Sequence, residues 1–237
     1  MIKIEGLEKK YGDFRLSIDK LHIPRGESFG LVGNNGVGKT TLYHLILDLI
    51  RPDKGRVLIN DIPVSESEAW KKFTSAFLDE SFLIPYLTPD EYFDFLAKLR
   101  QVNKADTEEI LQAFDSLFDG EIRGKKKLIR DLSKGNQKKV GIAGTFIGLP
   151  PLIVLDEPFA NLDPSGQIKL KRLLNRFRQN HPITFLISSH NLEHITEVTD
   201  RIVLLDKGHV VKDLKVNDDT LGELIRFFEE QISGNEI

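Results

Sequence analysis

The segment GLVGNNGVGKTTL, Gly30–Leu42, decides how this chain is read. An apolar strand-like run, Phe29–Val32, breaks into a glycine-rich turn, and a helical pattern follows over Thr40–Leu49. Gly33, Gly38, Lys39 and Thr40 stand at the G-x-x-x-x-G-K-[ST] spacing of a phosphate-binding loop, between strand and helix as that loop requires. The glycines allow successive backbone N–H groups to turn inward, so the loop and the helix N-terminus can cradle phosphates. Asn34, Asn35, Gly36 and Val37 complete the loop, and Thr41 continues the first helical turn. Lys39 can reach β- and γ-phosphates, and the Thr40 hydroxyl can ligate Mg²⁺. A glycine-rich turn that holds nothing is the competing reading. The strand–loop–helix setting argues against it, so ATP and Mg²⁺ are the expected ligands.

A second stretch, PLIVLDEPFANLD at Pro151–Asp163, carries two acids straight out of an apolar run. Leu152–Leu155 has the character of a strand buried on both faces, where a charge costs several kcal/mol unless something relieves it. Three readings are open: a strand end dipping into solvent, a salt-bridged core pair, or a metal and acid/base site. The phosphate loop changes the balance. Enzymes of this type hold Mg²⁺ partly through an Asp ending a neighbouring buried strand, which Asp156 fits. Glu157 is then placed to orient or deprotonate an attacking water.

Composition sets outer limits. With 237 residues, 40% hydrophobic and 29% charged, the chain has enough material for a large core and reads as one soluble domain. A net charge of −3 argues against a whole-surface nucleic-acid binder. No apolar run approaches the ~18 residues of a membrane span, and MIKIEGLEKKYG leads directly into strand character rather than a signal peptide. The absence of cysteine excludes disulfides, thiolate metal sites and Cys nucleophiles.

Strand-like runs recur at Phe29–Val32, Val57–Ile59, Thr74–Leu78, Leu152–Asp156, Ile183–Ser188 and Arg201–Asp206, with helical patterns between several of them, including Pro164–Gln179. This alternation predicts an α/β fold whose mainly parallel sheet is flanked by helices. Antiparallel portions are expected at Ile2–Ile23 and at Ile202–Leu214, the latter turning at DKG. Between Thr88 and Gly135 only helices are predicted. Thr88, Pro89 and Glu91 form a capping box for one whose apolar face is Leu87, Tyr92, Phe93, Phe95, Leu96 and Leu99. A second helix follows Thr107. The expected limits are a core at 1–87 and 136–215, a helical subdomain inserted at 88–135, and a tail helix at 216–237.

These motifs, in this order, resemble the ATP-binding subunits of ABC transporters, and the resemblance runs from Tyr11 to about Asp206. Tyr11 of KKYG matches the aromatic that stacks on adenine; its competing reading is a hairpin-edge tyrosine. LSKGNQKKV, Leu132–Val140, resembles the family signature, with Ser133 and Gly135 matching and Lys134 and Asn136 departing from it. On its own it is a helix cap. Asp163 of ANLDP matches a subunit-interface position, and His190 after SSH matches the residue that senses the γ-phosphate. Where the family normally has a Gln after the strand at Thr74–Leu78, this chain has Asp79, or Glu80 if a gap intervenes. Either carboxylate could touch metal or water. The basic run Arg123–Arg130 reads as a solvated face or as a contact for anionic lipid or a membrane partner.

The resemblance implies a P-loop ATPase of the inner membrane face. It works as a head-to-tail dimer with a second copy or a homologous subunit, and powers a separately encoded permease. The roles it implies are Lys39, Glu157 and His190 in catalysis, Thr40 and Asp156 at the metal, and Ser133, Lys134, Gly135 and Asn136 at the partner's site. The LSKGN form and the missing Gln most resemble ABC-2-type exporters. A soluble ATPase acting on ribosomes or DNA, and a non-hydrolysing regulatory module, are the alternatives. The first would be expected to carry tandem modules, and the second to lack Glu157 or His190.

Overall fold

The computed structural model describes residues 1–234. In chain order the elements are β1 (Ile2–Tyr11), β2 (Phe14–Ile23), β3 (Ser28–Val32), α1 (Lys39–Ile46), β4 (Lys54–Ile59), β5 (Ile62–Pro63), β6 (Thr74–Phe77), α2 (Pro89–Leu99), α3 (Lys104–Ala113) and α4 (Asp115–Phe118). They continue with α5 (Lys134–Phe146), β7 (Leu152–Leu155), α6 (Pro164–Asn180), β8 (Thr184–Ser189), α7 (Leu192–Val198), β9 (Arg201–Asp206), β10 (His209–Lys215) and α8 (Thr220–Gly234).

One mixed sheet runs in the order β5-β4-β1-β2-β10-β9-β3-β8-β7-β6. The half from β9 to β6 is parallel, and the β1–β2, β1–β4 and β9–β10 pairs are antiparallel. Its parallel strands are apolar through their centres because both faces are covered there, with polar residues such as Ser28, Thr184, Ser188 and Ser189 at their ends. Leu152 and Val154 pack into the core that holds α1, while Ile153 and Leu155 pack into the core shared with the helical segment. Leu186 and Val203 face the first core; Phe185, Ile187, Ile202 and Leu204 face the second. The DKG hairpin forms with Lys207 and Gly208 both at positive φ, as a tight two-residue turn requires.

Among the described residues the 88–135 segment contains helices and no strand. Thr88 and Glu91 close the capping box reciprocally. Phe93 is buried and Tyr92 and Leu96 pack on the core, but Phe95 and Leu99 are exposed, contrary to the expected apolar face. At about 100° per residue they lie roughly 200° and 240° around the helix from Phe93, so they cannot share its face. The second helix starts at Lys104 rather than after Thr107. Asn103 caps it by accepting from the Asp106 N–H at 2.9 Å, and Thr107 back-bonds to the Asn103 carbonyl. Phe114 ties this segment to the core, its ring centroid 5.1 Å from Phe146 of α5 and 5.9 Å from Phe177 of α6. Helix α5 crosses the expected 135/136 limit and packs against both α2 and β6. The tail helix begins at Thr220 and is described to Gly234, so the expected limit at 237 lies outside the described residues. No described helix is long and apolar enough to cross a membrane.

Candidate functional site

The C-terminal ends of β3, β7 and β8 lie side by side, which is where an open α/β sheet leaves a crevice for ligands. The 33–38 loop leaves β3 and delivers α1 through Gly38, which holds φ of +108°. A Cβ at Gly33 would stand 2.3 Å from the Leu205 carbonyl oxygen, and one at Gly38 would stand 2.9 Å from the Phe14 ring. Only glycine fits either place. The β9–β10 turn supports the loop from behind, Gly208 N–H donating to the Val37 carbonyl at 3.2 Å. Asn34, Asn35 and Gly36 are exposed, Val37 is buried and Thr41 is half-buried. Helix α1 carries no acid of its own in its first turn, which leaves its positive end suited to an anion.

Lys39 is buried and donates to the loop's own carbonyls, Gly33 at 2.7 Å and Asn34 at 3.3 Å. Its ammonium also lies 3.6 Å from Glu157 Oε1. Thr40 donates to Asp156 Oδ2 at 2.7 Å. Asp156, only 5% exposed, accepts from Ser188 Oγ on its other oxygen. Ser188 Oγ in turn accepts the Glu157 N–H at 2.9 Å. Glu157 sits at φ of +48°, a left-handed conformation uncommon for a non-glycine residue, and its Oε2 lies 2.8 Å from His190 Nδ1. Lys39, Thr40, Asp156, Glu157 and His190 are thereby brought into one connected cluster.

A hydroxyl and a carboxylate oxygen meeting at one point are the hard oxygen donors that Mg²⁺ favours, so Thr40 and Asp156 fit that ion. The loop glycines and the Lys39 ammonium fit the phosphates it accompanies. The arrangement can bind a nucleoside triphosphate, bring a cation to its phosphates and hold a carboxylate beside the terminal one.

The remaining predicted residues lie around this cluster. Tyr11, 49% exposed, ends β1 opposite Phe14, whose ring packs on Gly38, and Lys9 Nζ lies 5.4 Å from the tyrosine ring centroid. Ser133 caps α5 by accepting from the Asn136 N–H at 3.2 Å, and Asn136 donates to Glu121 at 2.8 Å. Lys134 is exposed, and Gly135 lies against the Asn161 carbonyl, 2.8 Å from where a Cβ would stand. Asp163 is exposed at the N-cap of α6 without a side-chain cap bond. Neither acid at the expected Gln position points its chemistry at Thr40. Asp79 Oδ1 accepts from the Ser81 N–H at 2.6 Å, and Glu80 Oε1 lies 3.8 Å from Lys138 Nζ. Arg123 of the basic run is taken up by Glu108 and Asp115, and the Arg130 guanidinium lies 5.1 Å from the Tyr86 ring centroid.

Two residues at the site escaped sequence reasoning. Ser188 was visible only as a polar residue ending an apolar strand. Lys138 is visible only as one of two lysines just before the mainly apolar run Val140–Phe146, where a buried cation needs a partner. Burial pushes the Lys138 ammonium below the usual lysine pKa, with the charge of Glu80 the largest opposing influence.

A protein-family profile described as ABC transporter matches residues 16–160. The bacitracin transport ATP-binding protein BcrA of Enterococcus faecalis is 33% identical over 92% of this chain and 70% of its own length. The molybdate/tungstate import ATP-binding protein WtpC of Pyrococcus horikoshii is 31% identical over 92% of this chain, which spans 63% of that relative. The dimeric structure of a post-hydrolysis state of the ATP-binding cassette MJ0796, bound to ADP and Pi, superposes with a TM-score of 0.79, covering 92% of this chain and 99% of that one at 24% identity. That likeness is one of fold.

Proposed function

This chain belongs to the ABC transporter family of ATP-binding proteins, whose members hydrolyse ATP, and we propose that it drives export through a separately encoded membrane permease as one half of a head-to-tail dimer. The observation that carries the reading is the convergence of Lys39, Thr40, Asp156, Glu157 and His190 at the ends of three adjacent strands.

Lys39 and the loop amides bind the phosphates, and Lys39 exchanges its loop carbonyls for phosphate oxygens. Thr40 and Asp156 would hold Mg²⁺, which would supply positive charge to offset the negative charge developing on the phosphoryl oxygens. Glu157 orients the attacking water and takes its proton as the bond from γ-phosphorus to ADP breaks. His190 fixes the Glu157 carboxylate through Oε2 and reads the γ-phosphate. Tyr11 stacks on adenine, and its place beside Phe14 and Gly38 supports this. Ser133, Lys134, Gly135 and Asn136 at the start of α5 complete the partner's site, with Asp163 at the subunit interface. The acid-free first turn of α5 suits a partner's phosphates.

Permease contact is supported by an apolar groove of about 230 Å³ lined by Leu49, Trp70, Leu78 and Phe82, with Leu49 and Phe82 exposed. The chain would then sit on the cytoplasmic face of the membrane and touch it through that permease, with no nucleic-acid partner. The whole of residues 1–237 forms one ATP-binding domain in this reading, with the helical subdomain near 88–135. Export rests on the LSKGN signature and the acid at 79 or 80. Import is the second reading, favoured by the likeness to WtpC.

Trans action of the signature tests the proposal. Lys39→Ala spoils a subunit's own phosphate site, whereas Lys134→Glu places negative charge against the partner's phosphates. Each homodimer should be inactive. In a mixed dimer both defects fall on one composite site and leave the other intact, so mixing the two proteins should restore part of the ATPase activity. No recovery despite demonstrated mixed dimers would reject the trans assignment.

A further inference from the structure

Glu157 holds an uncommon backbone conformation at the proposed reaction centre, and both ends of its backbone are held by side chains. Its N–H donates to Ser188 Oγ at 2.9 Å, and its carbonyl accepts from Lys138 Nζ at 2.9 Å. Lys138 is 4% exposed and lies on α5, just past the signature. Its ammonium stands 3.8 Å from Glu80 Oε1, an oxygen that is buried and has no hydrogen-bond partner. Glu80 opens the turn Glu80–Phe82, and Leu78 and Phe82 on either side of it line the apolar groove.

We propose that Lys138 is a positioning residue for Glu157, fixing the 157 carbonyl and with it the left-handed conformation that aims the carboxylate between Lys39 and His190. The inference rests on the reading of Glu157 as the water-activating group. A left-handed non-glycine residue is strained and persists only where its surroundings over-determine it. Here the surroundings are two side-chain hydrogen bonds, one of them from Lys138, together with the Ala160 N–H, which also donates to the 157 carbonyl at 3.2 Å. Glu80 offsets the cost of burying that lysine and needs no contact with the reacting atoms. Lys138 thereby links Glu80, in the turn that carries Phe82, to the Glu157 backbone carbonyl.

A buried ion pair that only neutralises itself makes a different prediction, and paired variants separate the two. Lys138→Met keeps side-chain length but leaves Glu80 unpaired, so a loss of stability is expected with any loss of turnover. The double variant Lys138→Met/Glu80→Gln removes both charges and should recover urea stability relative to the single variant. Its ATP affinity should match wild type, because Lys138 does not touch the phosphate loop. Its kcat should nevertheless stay depressed by about ten- to a hundredfold, as for a catalytic group displaced by about 1 Å. A double variant whose kcat falls by less than about tenfold overturns the assignment, the ion pair then being structural alone. Glu157→Gln, assayed alongside, separates the two claims. If it hydrolyses ATP normally, the reading of Glu157 fails and that of Lys138 with it. If it is inactive while the double variant is fully active, only the Lys138 assignment falls.

Discussion

Thr40 at the start of α1 and Asp156 at the end of β7, 116 residues apart in the chain, meet at 2.7 Å. With Ser188 on its other oxygen, the nearly buried Asp156 carboxylate is held by two hydroxyl donors from two different elements. Hydrogen bonds to a charged group are worth roughly 1.5–3 kcal/mol each, which offsets much of the cost of desolvating it. The same arrangement leaves a hydroxyl and a carboxylate oxygen together at the mouth of the phosphate loop.

Glu157→Gln should retain ATP binding and lose hydrolysis. The amide keeps the shape and a hydrogen bond to His190 but cannot accept a proton from water. General-base contributions are typically about 10²–10⁴-fold in rate, so turnover at saturating ATP should fall by that order. Near-normal turnover would leave Glu157 as a structural partner of Lys39 and His190.

Ser188→Ala should destabilise the fold itself. It strips Asp156 of one donor and leaves the Glu157 N–H without an acceptor. A buried polar group left unsatisfied costs about 1–3 kcal/mol, so the urea midpoint should drop clearly and the melting temperature by several degrees. An unchanged midpoint would mean that water or a shifted side chain takes the place of the hydroxyl.

Tyr11→Ala should weaken ATP binding several-fold to about tenfold while barely changing saturated turnover, since an aromatic stack is worth roughly 0.5–1.5 kcal/mol beyond its area. Nucleotide titration with the full chain measures this. Wild-type affinity would show that the exposed Tyr11 ring serves only the hairpin edge and its contact with Lys9.

Stability should fall on acidification, in part through His194. Burial lowers its pKa, the positive charge of Lys171 acts in the same direction, and Glu197 and Glu193 oppose them. Its ring lies 5.0 Å from that of Phe159, with Nδ1 buried and unpartnered. Because the folded pKa lies below the unfolded one, the unfolded chain binds the proton more tightly. The contribution is therefore complete above the unfolded value of about 6.5 and is lost as pH falls from there toward the folded pKa. His194→Phe should flatten the dependence of the urea midpoint across that window; an identical slope in the variant would remove His194 as a source.

The sequence by itself determined the parallel half of the sheet, because strands covered on both faces read as continuous apolar runs through their centres. It also determined the phosphate loop, whose glycines and lysine are local to one turn. The Thr88 capping box and the DKG hairpin were legible for the same reason: their bonds close within a few residues. Long-range partners were not. The hydroxyl of Ser188 carries no mark in the sequence of its bonds to Asp156 and Glu157, and Lys138 reads as one lysine among several until α5 brings it under the Glu157 carbonyl. The departure at Asp79 and Glu80 left open two possible ligands, and tertiary contacts assigned them differently, one to a turn cap and one to a buried lysine. Gly135 reads as a signature glycine facing a partner, yet a side chain there would meet the chain's own Asn161 carbonyl, so Lys134 is the cleaner probe. What a residue touches across the fold depends on where whole elements pack, and no local pattern encodes that distance.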